Sequence, residues 1–280
     1  MYRIINRRDL NEQVVLMEIE APLIAKKAEP GQFIILRVDE GGERIPLTVA
    51  DFDRDAGTVT IIFQIVGKTT QLLARLQEGD ALLDFAGPLG MPSELEGYRK
   101  VAVLGGGLGC AIAYPQAKKL HALGASVDLI AGFRSEELII LEEEMRAVSD
   151  KLILTTDDGS NGVKGFVTDR LKEQIEAGAS YDMVIAIGPL FMMRAVCDLT
   201  RPYGIKTMIS MNPIMIDGTG MCGGCRVTVG GETKFACVDG PDFDGHLVDF
   251  DSAIRRSAFY KDQERQSCEE NCRLRGALDA

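Results

Sequence analysis

Val101-Ala102-Val103-Leu104-Gly105-Gly106-Gly107-Leu108-Gly109 runs from an unbroken apolar stretch straight into a glycine-rich turn, and Ala111 to Leu123, with helical character, follows. Strand, glycine loop and helix in that order form the opening of a βαβ unit. Consecutive apolar residues without alternation suit a strand buried on both faces, as in a parallel sheet between helices. The loop also carries chemistry, because amides at a helix start collect anions. It does not match G-x-G-x-x-G, since residue 110 is Cys. The placement alone therefore predicts a dinucleotide pyrophosphate over Gly105, Gly106, Gly107 and Gly109, against the plainer reading of a tight turn.

The same alternation continues downstream. Strands are expected at Val127–Ala131, Leu152–Thr155 and Met183–Ile187, with helices near 137–149 and 165–177. This predicts a doubly wound parallel sheet over residues 98–210. Gly188-Pro189 follows the last of these strands. Ligands collect beyond the carboxyl ends of such strands, where Gly188 would let a nicotinamide ring lie near backbone; a simple turn is the alternative.

Residues 1–97 read differently. Val14–Ile19, Phe33–Val38, Thr58–Phe63 and Ala81–Phe85 are short apolar runs punctuated by Gly, Pro and Asp. They predict an antiparallel barrel, interrupted by one helix at Thr69–Leu76. Two segments of the barrel could hold a cofactor. In Arg44-Ile45-Pro46-Leu47-Thr48, the guanidinium could clamp a pyrophosphate and the Thr48 hydroxyl could meet the polar edge of a flavin, unless Arg44 is simply an exposed loop residue. In Gly67-Lys68-Thr69-Thr70, the amides at a helix start could face an anion, unless Thr69 or Thr70 merely caps the helix. The second segment lacks the glycine spacing of a Walker A loop.

Beyond residue 210 stands Asp217-Gly-Thr-Gly-Met-Cys222-Gly-Gly-Cys225, followed by Cys237. Plant-type ferredoxins hold their cluster with C-x4-C-x2-C and a distant fourth cysteine. The spacing here is the same, with Asp217 in the first place. It predicts a 2Fe–2S cluster on Asp217, Cys222, Cys225 and Cys237 within a segment spanning 211–245. A zinc site or a Cys-x-x-C redox pair would be the alternatives, although structural zinc prefers Cys and His and a redox pair needs no Cys237. The tail 246–280 is polar, with helical periodicity around Phe250–Phe259. Cys110, Cys268 and Cys272 receive no role.

Composition narrows the function. A net charge of −11 over 280 residues argues against a nucleic-acid or anionic-membrane surface. No apolar run reaches the roughly 20 residues that a bilayer span needs. Residues 1–8, Met-Tyr-Arg-Ile-Ile-Asn-Arg-Arg, hold no apolar core of a secretory signal, so none is expected. Seven cysteines in unpaired spacings suit a reducing cytoplasm with cluster chemistry. Only His121 and His246 could serve as histidine bases, and both read as surface residues.

Taken together, Arg44-x-Pro-Leu-Thr48, the segment 67–70, Gly87-Pro88-Leu89-Gly90, Gly105–Gly109 and Gly188-Pro189 resemble the ferredoxin–NADP reductase superfamily in content and order. The cluster segment makes the chain similar to the branch of electron-transfer subunits serving dihydroorotate dehydrogenase and NADH-dependent reduced ferredoxin:NADP oxidoreductase. Asp217 favours the second group. The resemblance implies FAD at Arg44, Pro46, Leu47, Thr48, Gly67, Thr69 and Thr70, and NAD(H) at Gly105, Gly106, Gly107, Gly109 and Gly188. It implies a redox subunit without a catalytic acid or base. Its partner would be a larger flavin and iron–sulfur subunit, like the small subunit of glutamate synthase, through which ferredoxin is reached. A dihydroorotate-linked subunit and a non-catalytic redox sensor are the other expectations.

Overall fold

The computed structural model describes residues 1–260 together with Gln263 and Gln266. Cys268 and Cys272 lie outside the described residues. The first unit comprises β1 (Tyr2–Asn11), β2 (Val14–Glu20), α1 (Pro22–Ala25), β3 (Phe33–Arg37), β4 (Ile45–Asp53), β5 (Thr58–Gln64), α2 (Lys68–Leu73), β6 (Ala81–Leu82) and β7 (Asp84–Leu89). Its antiparallel sheet runs β6-β1-β2-β5-β4-β3-β7. The outermost strands, β6 and β7, are consecutive in the chain and separated only by Leu83. The sheet therefore curls into a nearly closed barrel, which hides most of its edge. The run Ala81–Phe85, expected as one strand, is these two.

Alternation along the strands sorts side chains between cores. Ile34 and Leu36 of β3 point into the barrel with Met17, Ile61 and Phe63. Phe33 and Ile35, on the opposite face, join a core that also contains Cys225 and Cys237. Val14 and Leu16 of β2 likewise turn outward, onto the helix that follows the glycine loop. Both faces of these barrel strands are thus buried, which explains their near-continuous apolar sequence.

The second unit holds β8 (Lys100–Gly106), α3 (Gly109–Ala122), β9 (Ser126–Phe133), α4 (Glu142–Ala147), β10 (Lys151–Thr156), α5 (Val167–Glu176), β11 (Met183–Ile187), α6 (Leu190–Thr200) and β12 (Lys206–Ser210). It continues into β13 (Arg226–Val229), β14 (Glu232–Phe235), α7 (Ala236–Asp239), β15 (Asp242–Asp244) and α8 (Phe250–Ser257). The sheet order is β10-β9-β8-β11-β12-β15. Strands β8 to β12 are parallel, and β15 adds an antiparallel edge beside β12. Strand order reverses between β8 and β11, so the ligand crevice of a doubly wound sheet falls at their carboxyl ends. The expected helix at 137–149 shortens to α4, because Leu141 adopts a left-handed φ of 56° just before it. Among the described residues no helix is long and apolar enough to cross a membrane.

Candidate redox-cofactor sites

A cavity of about 770 Å³ opens at the sheet's reversal point. Gly106, Gly107, Gly109 and Gly188 line it, with Val14 and Gln64 from the barrel opposite. Each glycine has a physical reason. A Cβ on Gly109 would lie 2.3 Å from the Ile187 carbonyl oxygen, so only glycine lets α3 start against the end of β11. A Cβ on Gly107, at φ 56°, would meet nothing within 4 Å; its backbone faces open cavity. Gly105 is not in this wall. It packs on Cys110, whose sulfur would lie 2.6 Å from an added Cβ. Cys110 is therefore a small packing residue behind the loop, and burial raises its thiol pKa far above the ordinary range. Arg134 and Asp157 line the far end of the cavity, beyond β9 and β10.

The barrel motif sits on β4, which pairs with β3 through Thr48↔Phe33, Leu47↔Ile34 and Pro46↔Ile35. Pro46, Leu47 and Thr48 are half-buried, whereas Arg44 is exposed. Arg44 Nε donates to the Ile216 carbonyl oxygen at 3.1 Å, in the loop before Cys222. Gly67, rather than Thr69 or Thr70, is the N-cap of α2. Thr70 reaches back so that its Oγ1 accepts from the Gly67 amide at 3.0 Å. That amide is thus already bonded, and the later amides of the first turn are the ones left to face a ligand. Thr69 Oγ1 donates to Glu43 at 3.0 Å, and a Cβ on Gly67 would meet nothing within 4 Å.

The cysteine segment is shaped by a hairpin. Gly230 and Gly231, both at positive φ, turn β13 into β14. Such a two-residue turn needs left-handed backbone at both positions. The pairing brings Cys225, just before β13, to Cys237, just after β14, and the Ala236 amide donates to Cys225 O at 3.1 Å. Both thiols are buried, at 1% and 2% exposure, while Cys222 is exposed. Burial and the neighbouring Cys225 thiol push Cys237 up to about 11, with Cys222 adding to the effect. The Gly224 amide, 3.5 Å from its sulfur, lowers the pKa of Cys222.

The Asp217 carboxylate turns back on its own loop. Its Oδ2 accepts from Thr219 N at 2.9 Å, Thr219 Oγ1 at 2.7 Å and Met221 N at 3.1 Å, and these bonds lower its pKa. Among the described residues no three His, Cys, Asp or Glu side chains surround one point as a single metal ion would require. A two-iron cluster divides its ligands between two metals. Two buried thiols side by side and a third, acidified one nearby are a donor set of that kind. Cys197 packs beneath Gly245, and burial pushes its thiol up to about 12.

Sequence reasoning missed a buried carboxyl. Asp242 of β15 accepts from Ser93 Oγ at 2.5 Å and Gln116 Nε2 at 3.1 Å, and Ser210, its third donor, lines the large cavity. No local pattern marks Asp242, because its neighbours come from three separate stretches. His246, expected at the surface, is half-buried with Nε2 3.0 Å from Ile205 O.

A nearly closed barrel followed by a doubly wound sheet and a cysteine-bearing end is the architecture of the ferredoxin–NADP reductase superfamily. Residues 212–249 match the model for the iron–sulfur cluster binding domain of dihydroorotate dehydrogenase B. The dihydroorotate dehydrogenase B (NAD(+)) electron transfer subunit homolog of Thermotoga maritima is 45% identical over 95% of this chain and 94% of its own. The corresponding electron transfer subunit of Geobacillus thermodenitrificans is 34% identical over 86% and 94%. The chain belongs to this family of electron-transfer subunits and their homologues. A solved structure of NADH-dependent reduced ferredoxin–NADP oxidoreductase superposes with a TM-score of 0.91 at 44% identity, over 97% of this chain and 98% of the other. A cytochrome P450 reductase from Amycolatopsis, at 20% identity and a TM-score of 0.59 over 72% and 65%, shares the fold alone.

Proposed function

We propose that this chain is an NAD(P)H-dependent oxidoreductase subunit that passes electrons among NAD(H), FAD and a 2Fe–2S cluster, and to or from a larger flavin and iron–sulfur partner. The observation that carries the reading is the placement of three elements around one barrel: the glycine-lined cavity, the β4 motif and the three-thiol loop. In this reading residues 1–97 hold FAD, 98–210 hold NAD(H), 211–245 hold the cluster and 246–280 form a tail. The cofactors supply hydride and one-electron chemistry. The chain's own residues bind and orient. Gly106, Gly107, Gly109 and Gly188 admit a dinucleotide against bare backbone, with Gly105 shaping the turn from behind. Arg44, Pro46, Leu47, Thr48, Gly67, Thr69 and Thr70 border the FAD site. Cys222, Cys225, Cys237 and Asp217 ligate the cluster.

The reading as a bifurcating ferredoxin:NADP oxidoreductase subunit is supported by Asp217 and by the 44% identity to that structure. A dihydroorotate-linked partner is the second reading, favoured by the family match at 212–249. The free thiols suit a cytoplasmic setting. The test is anaerobic purification with co-purifying partners, followed by iron, acid-labile sulfide and flavin analysis and by NADH oxidation with an artificial acceptor. FAD, iron, sulfide and NADH oxidation are expected; a preparation lacking flavin and iron would reject the reading. The identity of the large subunit separates the two partners.

A further inference from the structure

Three arginines from distant parts of the chain meet the Cys222 loop. Arg44, just ahead of β4, donates to Ile216 O at 3.1 Å. Arg226, the first residue of β13, donates from Nη1 to Gly223 O at 2.7 Å. Arg256, on α8, donates from Nη2 to Gly224 O at 3.1 Å. The bonded carbonyls lie on both sides of Cys222. Among the described residues none of the three arginines forms an ion pair with a carboxylate. Arg226 and Arg256 also line, with Cys222, a cavity of about 600 Å³. In a chain with 31 basic and 42 acidic residues, three unpaired guanidiniums around one loop are a local excess of positive charge.

A loop carbonyl at the surface needs only water, so the bonds alone do not require arginine. Charge is what arginine adds, and a guanidinium keeps it at every working pH. A cluster on thiolates and a carboxylate is anionic, and reduction adds one further negative charge. Fixed cations hydrogen-bonded to the ligand loop would stabilise the reduced form more than the oxidised one. We infer that Arg44, Arg226 and Arg256 form a cationic clamp that fixes the ligand loop and raises the reduction potential of its cluster. The inference rests on the cluster reading above. The arginines act through the loop and the field, as positioning residues, and no proton of theirs moves. The clamp opposes the carboxylate ligand, a hard donor that favours the ferric state. Asp217 itself feels the Arg44 charge.

Arg226 and Arg256 test this without touching the flavin motif. Arg226→Met, Arg256→Met, the double variant and the matching Arg→Lys variants are purified anaerobically with the natural partner. Iron and acid-labile sulfide are measured first. The cluster is then titrated against potential by electron paramagnetic resonance. Each Met variant is expected to titrate at lower potential than wild type, and the double variant lower still. The Lys variants, which keep the charge, should stay close to wild type. Added salt should lower the wild-type potential more than that of the double variant, because exposed charges are screened. A fully loaded double Met variant at the wild-type potential overturns the clamp, as do Lys variants that shift as far as the Met ones. Should the Met variants lose iron, Arg→Gln variants and the wild-type salt dependence are read in the same way, and an unmoved potential in both overturns it. Wild-type protein without iron and sulfide rejects the cluster reading instead.

Discussion

Replacing Asp242 by asparagine should stabilise the protein at neutral pH. The Asp242 carboxyl is enclosed, and among the described residues neither its Oδ1 nor Gln116 Oε1 has a hydrogen-bond partner. Burial pushes its pKa from 3.8 to about 6, against the lowering effect of the Ser93, Ser210 and Gln116 hydrogen bonds. At about 1.4 kcal/mol per tenfold change in proton affinity, that distance corresponds to about 3 kcal/mol. The sign follows from proton counting. Between 3.8 and about 6 the folded protein binds more protons at this site than the unfolded chain, so stability falls as pH rises through this window. Above it the cost of the buried charge is fully present; below it the cost vanishes. Asparagine is isosteric and uncharged, and its amide can donate to Gln116 Oε1. Paired urea unfolding of wild type and Asp242→Asn should therefore show a difference near zero at about pH 3.5, growing to about 3 kcal/mol by about pH 7. Equal stabilities at neutral pH, or a gap that does not change with pH, would refute the argument that this carboxyl is held against its charge.

Gly109→Ala should cost about 3 kcal/mol, and lower the thermal midpoint accordingly, because the new Cβ would lie 2.3 Å from main-chain oxygen that cannot swing aside; an unchanged midpoint would show that α3 is free to shift. NADH should reduce the flavin faster than NADPH in stopped-flow experiments, since Asp157 stands in the cavity wall and opposes a 2′-phosphate; equal rates would point to Arg134 as a phosphate partner. Asp217→Asn keeps an acceptor for Thr219 and Met221 but removes the carboxylate proposed as a ligand, so it should lose iron where Asp217→Cys retains a cluster at higher potential. Full iron in Asp217→Asn with an unaltered spectrum would show that Asp217 only ties its loop.

The parallel sheet was legible because a doubly covered strand must be apolar throughout. Val101–Leu104 has no polar residue, and all four side chains are fully buried. The barrel was legible where turns punctuate apolar runs, but β1 was not. Its sequence, Tyr-Arg-Ile-Ile-Asn-Arg-Arg-Asp-Leu-Asn, buries only Ile4, and its pairing with β2 is broken by irregular register. Helix α6 carries a clear signal in Met193, Val196, Cys197 and Thr200, all buried, yet Pro189 before it reads as a turn; it is the N-cap. The edge strand β15, Asp242-Phe243-Asp244, is too short and too acidic to be recognised from its own composition. Candidate site residues that depend on spacing, such as Cys222 and Cys225, are visible in the chain. Those that depend on distant partners, such as Asp242 with Ser93 and Gln116, or Arg256 with Gly224, exist only after folding.

Strand β3 shows why this arrangement suits electron transfer better than acid–base catalysis. One neighbour in the sheet, β4, carries Pro46, Leu47 and Thr48. On its outer face, Ile35 meets the cysteine loop so closely that a Cβ on Gly218 would lie 2.6 Å from Ile35 Cδ1 and 2.9 Å from Leu89 Cδ1. Gly218, at φ 82°, lets that loop lie directly on the barrel wall. Paired strands stand about 5 Å apart, so the β4 segment and the cysteine loop are separated by little more than one strand. Arg44 then ties them, leaving the end of β4 to hold Ile216 O. A proton-transfer enzyme needs a side chain of matched pKa at its reacting atom. The short separation between the β4 segment and the cysteine loop suits a carrier of single electrons, for which the protein's task is to position its cofactors.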